Sequence, residues 1–212
     1  MNYKYFILGA LIAVAVYLLR CENDKLSSPI TVIQHADEVE KYLTEHKTEI
    51  GEDYDAYRGH IYRVLSYAMH YLNGDTTHFA LIAAALVYHD IGLWTHKTLA
   101  YLEPSSLIAK DRFRIQYSRE EIDLLREIIV NHHKITPYEG PHADVVNAVR
   151  RADWIDATMG LVNHGMPATH IAAVQGSIPN AGFHKALVEF GPRLYGWNVV
   201  KTVSKLSTIF KW

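Results

Sequence analysis

The chain has 212 residues, enough for one domain whose core needs no disulfide support. Hydrophobic residues make up 49% and charged residues 21%, a globular balance that excludes a disordered polar chain. A formal net charge of −2 without a long basic run argues against nucleic-acid binding through phosphates, and the single cysteine, Cys21, excludes an internal disulfide and a cysteine-based zinc site.

Tyr5 to Leu19 carries no charge and lies between Lys4 and Arg20. As a helix it would extend about 22 Å, short of the roughly 30 Å hydrocarbon layer. No small-x-small cleavage site follows it, and Arg20 stands where a lipoprotein box before Cys21 wants a small residue. An uncleaved anchor is therefore preferred to a signal peptide or a helix of the fold, with Tyr3, Tyr5 and Tyr17 near the interfaces. On this reading residues 1–20 are a hydrophobic signal-anchor or transmembrane segment, 21–30 a polar linker and 31–212 the folded domain. The protein would then sit at a membrane, with a periplasmic or secreted form after cleavage as the alternative.

A helix is predicted next, capped by Ser28 or Thr31 and carrying Val32, Ile33, Val39 and Leu43. Glu45 to Asp55 is charged, contains Gly51 and reads as a loop. Tyr57 to Leu72 is strongly amphipathic: Ile61, Val64, Leu65, Ala68 and Leu72 recur at three and four, and His60 edges that face. Asn73-Gly74-Asp75 ends it. Thr77 suits the N-cap of His78 to His89, which is apolar nearly all round, the mark of a central helix. This stretch ends in His89-Asp90, then Ile91 and Gly92. An imidazole and a carboxylate at the buried end of an apolar run are strongly disfavoured unless something pairs with them. A divalent metal meets that need, because it binds neutral histidine nitrogen and carboxylate oxygen.

Trp94 to Thr98 and Tyr101 to Ser105 read as a loop rich in groups able to touch a ligand, and Trp94 and Tyr101 could wall a pocket. Ser106 to Phe113 is helical. Ser118 with Glu121 makes a capping box for a helix carrying Ile122, Leu125, Ile128 and Ile129. His132 and His133 follow Ile129 by three and four, so at least one points inward. Pro137, Gly140 and Pro141 break the chain. In the helix predicted over Ala143 to Met159, Val146, Val149 and Asp153 share a face, and Asp156 stands three residues further on. There is no strand alternation and no internal repeat, so the fold class is all-α.

The order His60, then His89-Asp90, then Asp153 resembles the HD superfamily of metal-dependent hydrolases. The matching segments are Gly59-His60, Tyr88-His89-Asp90-Ile91-Gly92 and Arg151-Ala152-Asp153, within residues 55–165. Bacterial members without an assigned substrate are also similar at Trp94-Thr95 and at Tyr101-Leu102-Glu103-Pro104-Ser105. The resemblance implies a helical bundle in which His60, His89, Asp90 and Asp153 hold one divalent ion, Mn²⁺, Fe²⁺, Zn²⁺ or Mg²⁺. It further implies a small-molecule substrate, a phosphate ester or nucleotide, hydrolysed by water that the metal acidifies.

Family members with two metals add two histidines between His-Asp and the last Asp. This chain offers His96, His132, His133 and His142 there. His96 comes early, and Leu107 to Arg119 contains none, so one ion is expected, with His132 or His133 facing the substrate. Asp156 would orient a ligand histidine or act as a general base, and Lys97 or Lys134 could neutralise a phosphate. Other activities of the fold are a hydratase or lyase reaction on a small nitrogen compound and iron-dependent oxygenation. A metal-stabilised scaffold without catalysis is the alternative from another class. Beyond His164 the tail departs from the family pattern. Asn180 to His184 is expected to fold over the site. The basic end, Lys201 to Trp212, is expected to pack its apolar face on the domain, with a membrane surface as the other reading.

Overall fold

A computed structural model describes residues 28–212. The Tyr5 to Leu19 segment lies outside the described residues, and no helix among those described is long and apolar enough to cross a membrane. The described chain is all-helical, as expected. Its helices are α1 (Asp37–Thr44), α2 (Lys47–Ile50), α3 (Tyr54–Tyr71), α4 (Phe79–Tyr88), α5 (Gly92–Thr95) and α6 (Leu102–Phe113). They continue with α7 (Arg119–Asn131), α8 (Ala143–Ala157), α9 (Ala168–Ser177), α10 (Phe183–Tyr195) and α11 (Val199–Leu206).

The apolar run becomes α4, buried from Leu81 to Tyr88. Helices α1, α3, α6 and α7 surround it, and α8 packs along α3 and α7. Such a helix can exist only at the centre, because every one of its faces must be covered. Ser118 caps α7 in the predicted box: its hydroxyl accepts from the Glu121 N–H at 3.2 Å, and the Glu121 carboxylate accepts from the Ser118 N–H at 2.8 Å.

Four local expectations change. The first helix starts at Asp37 rather than after Thr31. The preceding segment stays non-helical because α3 supplies its partners: Ile33 N–H donates to Ser66 Oγ at 3.0 Å and Ala36 N–H to the Tyr62 hydroxyl at 3.0 Å. Glu45 to Asp55 is not a plain loop but holds α2 and a 3₁₀ turn, anchored by buried Ile50. Thr77 does not cap α4, since its N–H and hydroxyl both turn back to Asp75.

The loop after the His-Asp pair is also more ordered than its composition suggests. One helical turn, α5, follows at once, and α6 begins at Leu102. Pro104 falls in the first turn of α6, where the missing N–H has no intrahelical partner to lose. Gly92 lets the two pieces meet. A Cβ there would stand 2.8 Å from the Tyr101 carbonyl oxygen and 3.0 Å from Ser105 Oγ, and that hydroxyl accepts the Gly92 N–H at 2.9 Å. Gly92→Ala is therefore expected to destabilise the protein by about 1–3 kcal/mol, the usual cost of overpacking. The expected sign is a lower urea midpoint with an unchanged slope.

Candidate metal centre

Two helices and two helix ends bring the titratable groups together. His60 comes from α3, His89 and Asp90 directly follow α4, His132 and His133 directly follow α7, and Asp153 comes from α8. His60 Nε2 lies 3.0 Å from His89 Nε2 and 3.3 Å from Asp153 Oδ1. Asp90 Oδ2 lies 3.2 Å from His89 Nε2 and 3.7 Å from His60 Nε2. All four residues are buried.

The other nitrogen of each ring fixes what these atoms present. His60 Nδ1 is 2.7 Å from Asp156 Oδ2, and His89 Nδ1 is 2.6 Å from the Leu86 carbonyl oxygen. Both partners accept, so each Nδ1 carries a proton, and in the neutral rings both Nε2 lone pairs face the two carboxylates. Such a convergence of electron pairs requires a positive charge among them. A proton is the smallest that fits. Burial lowers the His89 pKa, but adjacent Asp90 and the bond to Asp153 more than reverse this and raise it to about 10. Burial raises the Asp90 and Asp153 carboxyls, yet the neighbouring imidazoles hold both below their ordinary value. A metal ion bound here would displace that proton.

A second group shares Asp90. His132 Nδ1 faces the Ile129 carbonyl at 2.7 Å, which leaves Nε2 turned toward Asp90 Oδ1 at 3.4 Å. His133 Nδ1 stands 3.4 Å from Asp153 Oδ2, and its Nε2 is 2.6 Å from the Tyr101 hydroxyl. Burial, reinforced by the neighbouring His132, pushes His133 down to about 3, so its ring is neutral at ordinary pH. Asp90 Oδ1, His132 Nε2 and Asp153 Oδ2 are buried without a hydrogen bond. Each of two sets, His60 with His89 and Asp90, and Asp90 with His132 and His133, is close enough to hold a metal ion.

Around the cluster stands a ring of buried partners. Arg63 grips Asp156 with Nε at 2.6 Å and Nη2 at 2.9 Å, and its Nη1 donates to the Pro179 carbonyl at 2.9 Å. Asp156 is thus tied to Arg63 and His60 and is placed to orient His60. The Tyr57 hydroxyl donates to the Val87 carbonyl at 2.9 Å and accepts the Asp90 N–H at 3.3 Å, which pins the turn after α4. The tail covers the cluster. Phe183 lies over His60 with ring centroids 4.0 Å apart and planes 11° from parallel, so the Asn180 to His184 segment does fold against the site. His184 reaches the Asp156 carbonyl, 2.7 Å away. Phe210 approaches His133 at 5.9 Å between centroids, and the Lys211 carbonyl accepts the Ile135 N–H at 2.7 Å. His133, 14% exposed, is the open edge of the cluster.

Some expected contributors stand elsewhere. Lys97 is exposed on the loop after α5, and no hydrogen bond or ion pair joins it to the cluster. The Lys134 ammonium is bonded to Thr136. His96 pairs with Thr95, and His142, before α8, faces Glu120 at 3.3 Å. Arg63 went unnoticed in the sequence although it carried a signal: a charge three residues after His60, between Ile61 and Val64 of the core. Comparisons of the chain with protein-family models, with curated proteins and with solved structures give no match.

Proposed function

We propose that the chain is a metal-dependent hydrolase acting on a small phosphate ester or nucleotide. One observation carries this reading: buried imidazole and carboxylate lone pairs converge around Asp90, each imidazole held by its other nitrogen. The donor set, nitrogen and carboxylate oxygen without sulfur, suits a first-row divalent ion or Mg²⁺. A cation held there supplies Lewis acidity, which acidifies water and stabilises charge on a phosphoryl oxygen. The order His60, His89-Asp90, Asp153 supports hydrolysis through its resemblance to the HD superfamily. The close cover of Phe183, Tyr101 and Phe210 favours a small substrate.

The protein's own residues have separable work in this reading. His60 and His89 present fixed Nε2 atoms, with Asp156 and the Leu86 carbonyl setting their rotation. Asp90 and Asp153 supply the negative charge. His133, neutral and at the open edge, meets the substrate side, and the Tyr101 hydroxyl holds it there. The second group supports two ion positions sharing Asp90 in place of the single ion expected from the sequence.

Elemental analysis of the full chain purified without added metal is the first test, followed by a panel of phosphomonoesters, phosphodiesters and nucleotides. The expected result is one to two equivalents of divalent metal and hydrolysis that a chelator abolishes. A protein with no metal, whose melting temperature does not rise on adding Mn²⁺, Zn²⁺ or Fe²⁺, overturns the metal reading and leaves a scaffold. A metal-loaded protein inert to the whole panel overturns the phosphate ester. Two equivalents of iron would move the assignment to oxygenation.

A further inference from the structure

The last helix of the chain is amphipathic but carries no buried residue. Asn198 caps α11, its side chain accepting the Lys201 N–H at 3.0 Å. The helix touches the domain along one side only: Thr202 Cγ2 sits 2.7 Å from where a Cβ on Gly191 would stand. Val200 is two residues away, about 200° round the helix axis, and so points outward. It is 70% exposed, and tryptophans follow suit on either side of the helix, Trp197 at 90% and Trp212 at 68%. Val203 and Leu206 lie nearer the Thr202 side of the helix and are less exposed, at 39% and 37%. The sequence expectation that this apolar face packs on the domain holds only for Ile209 and Phe210, beyond the helix.

The charge of the same stretch is one-sided. Residues 190–212 contain Arg193, Lys201, Lys205 and Lys211 and no aspartate or glutamate, in a chain of net charge −2. Arg193 is taken up by Asp53 and Glu189. Lys201 and Lys205 are exposed and form no ion pair among the described residues; Lys201 rests over the Tyr195 ring at 4.8 Å.

We propose that residues 197–212, centred on α11, form a docking surface for an anionic lipid bilayer. Outward Val200 beside Lys201, with tryptophan at both margins, matches what the interface offers: an acyl boundary, a headgroup belt that takes indole rings, and phosphate for the ammonium groups. Other occupants match less well. A two-fold contact with a second copy through this same patch would offer Lys201 and Lys205 no carboxylate side chain, since residues 190–212 contain none. The uncharged Tyr5 to Leu19 run offers no carboxylate to either lysine. The proposal is independent of the chemistry at the buried cluster.

The test uses the full chain and phosphatidylcholine vesicles, with or without phosphatidylglycerol, whose acyl chains are brominated to quench tryptophan on contact. The expected result is quenching that needs the anionic lipid and largely disappears in Trp197→Phe/Trp212→Phe. Lys201→Gln/Lys205→Gln should weaken binding roughly 25-fold, a factor of about five for each lysine at an anionic surface. Equal quenching by both vesicle types, unchanged in the lysine variant, overturns the proposal in favour of insertion by Tyr5 to Leu19 alone. Absence of quenching overturns it too. If Trp197 emission is already shielded without vesicles, sedimentation separates a second copy from the chain's own segment, and either result overturns the lipid assignment.

Discussion

Asp90→Ala is expected to lower divalent-metal affinity by at least about 100-fold, beyond the 10–100-fold typical of losing an outer partner. Asp90 is the residue common to both candidate groups. Its Oδ2 faces the paired Nε2 atoms of His60 and His89, and its Oδ1 faces His132 Nε2 at 3.4 Å. Removing it takes a charged oxygen from each group at once, whereas His132→Ala takes one neutral nitrogen from one group. The two variants should therefore differ: His132→Ala keeps one class of site and Asp90→Ala keeps none. Competition against a chromophoric chelator gives both affinities, and near-ultraviolet circular dichroism checks that each variant is folded. A folded Asp90→Ala protein with wild-type affinity would mean that the cluster is an internal ion-pair network and not a metal centre.

The second large effect is expected at Asp156. Its carboxylate is buried between the Arg63 guanidinium and His60. Asp156→Ala leaves that guanidinium buried and unpaired, which costs about 3–5 kcal/mol. The double variant Arg63→Met/Asp156→Ala replaces the pair by apolar groups and should recover much of the stability. Metal affinity should stay low, about 10–100-fold down, because the His60 ring has lost the acceptor that fixes it. Urea midpoints and chelator competition on the same samples separate the two roles. If affinity returns along with stability, Asp156 acts only through folding. The pair also sets an acid limit. Burial raises the Asp156 carboxyl, but the bonds to His60 and Arg63 outweigh it and hold the pKa below its ordinary value. Its contribution is thus present above about pH 4 and lost as pH falls through the lower folded value.

The bundle, and the placing of His60, His89, Asp90 and Asp153 on or beside core-facing stripes, were legible because helical periodicity is a local property; their convergence was implied by the resemblance of their order to the HD superfamily. Once Ile61, Val64 and Leu65 face the core, His60 must lie close to it, and Val149 does the same for Asp153. The capping box at Ser118 was readable for the same reason. What escaped depends on distant partners. The extended run before Asp37 exists because Ser66 and Tyr62, a helix away, accept its N–H groups. Tyr101 to Ser105 read as a loop, yet the helix begins at Leu102, because a proline in a first turn costs a helix nothing. A second ion was set aside because no histidine stands between Leu107 and Arg119, whereas the adjacent His132 and His133 both reach the cluster from the end of α7. For the tail, the sequence pointed to Asn180 to His184 as a cover, but which rings Phe183 and Phe210 meet depends on distant partners.

Arg63 closes a circuit through three separate pieces of chain. It reaches across from α3 to Asp156 on α8 and to the Pro179 carbonyl in the segment that carries Phe183. The His60 ring is consequently gripped along its edge by Asp156 and across its face by Phe183. A ring clamped on edge and face has one rotamer. Its rotational entropy is surrendered when the chain folds, so a ligand arriving at Nε2 meets an atom already aimed and gives up none of its binding energy to aim it.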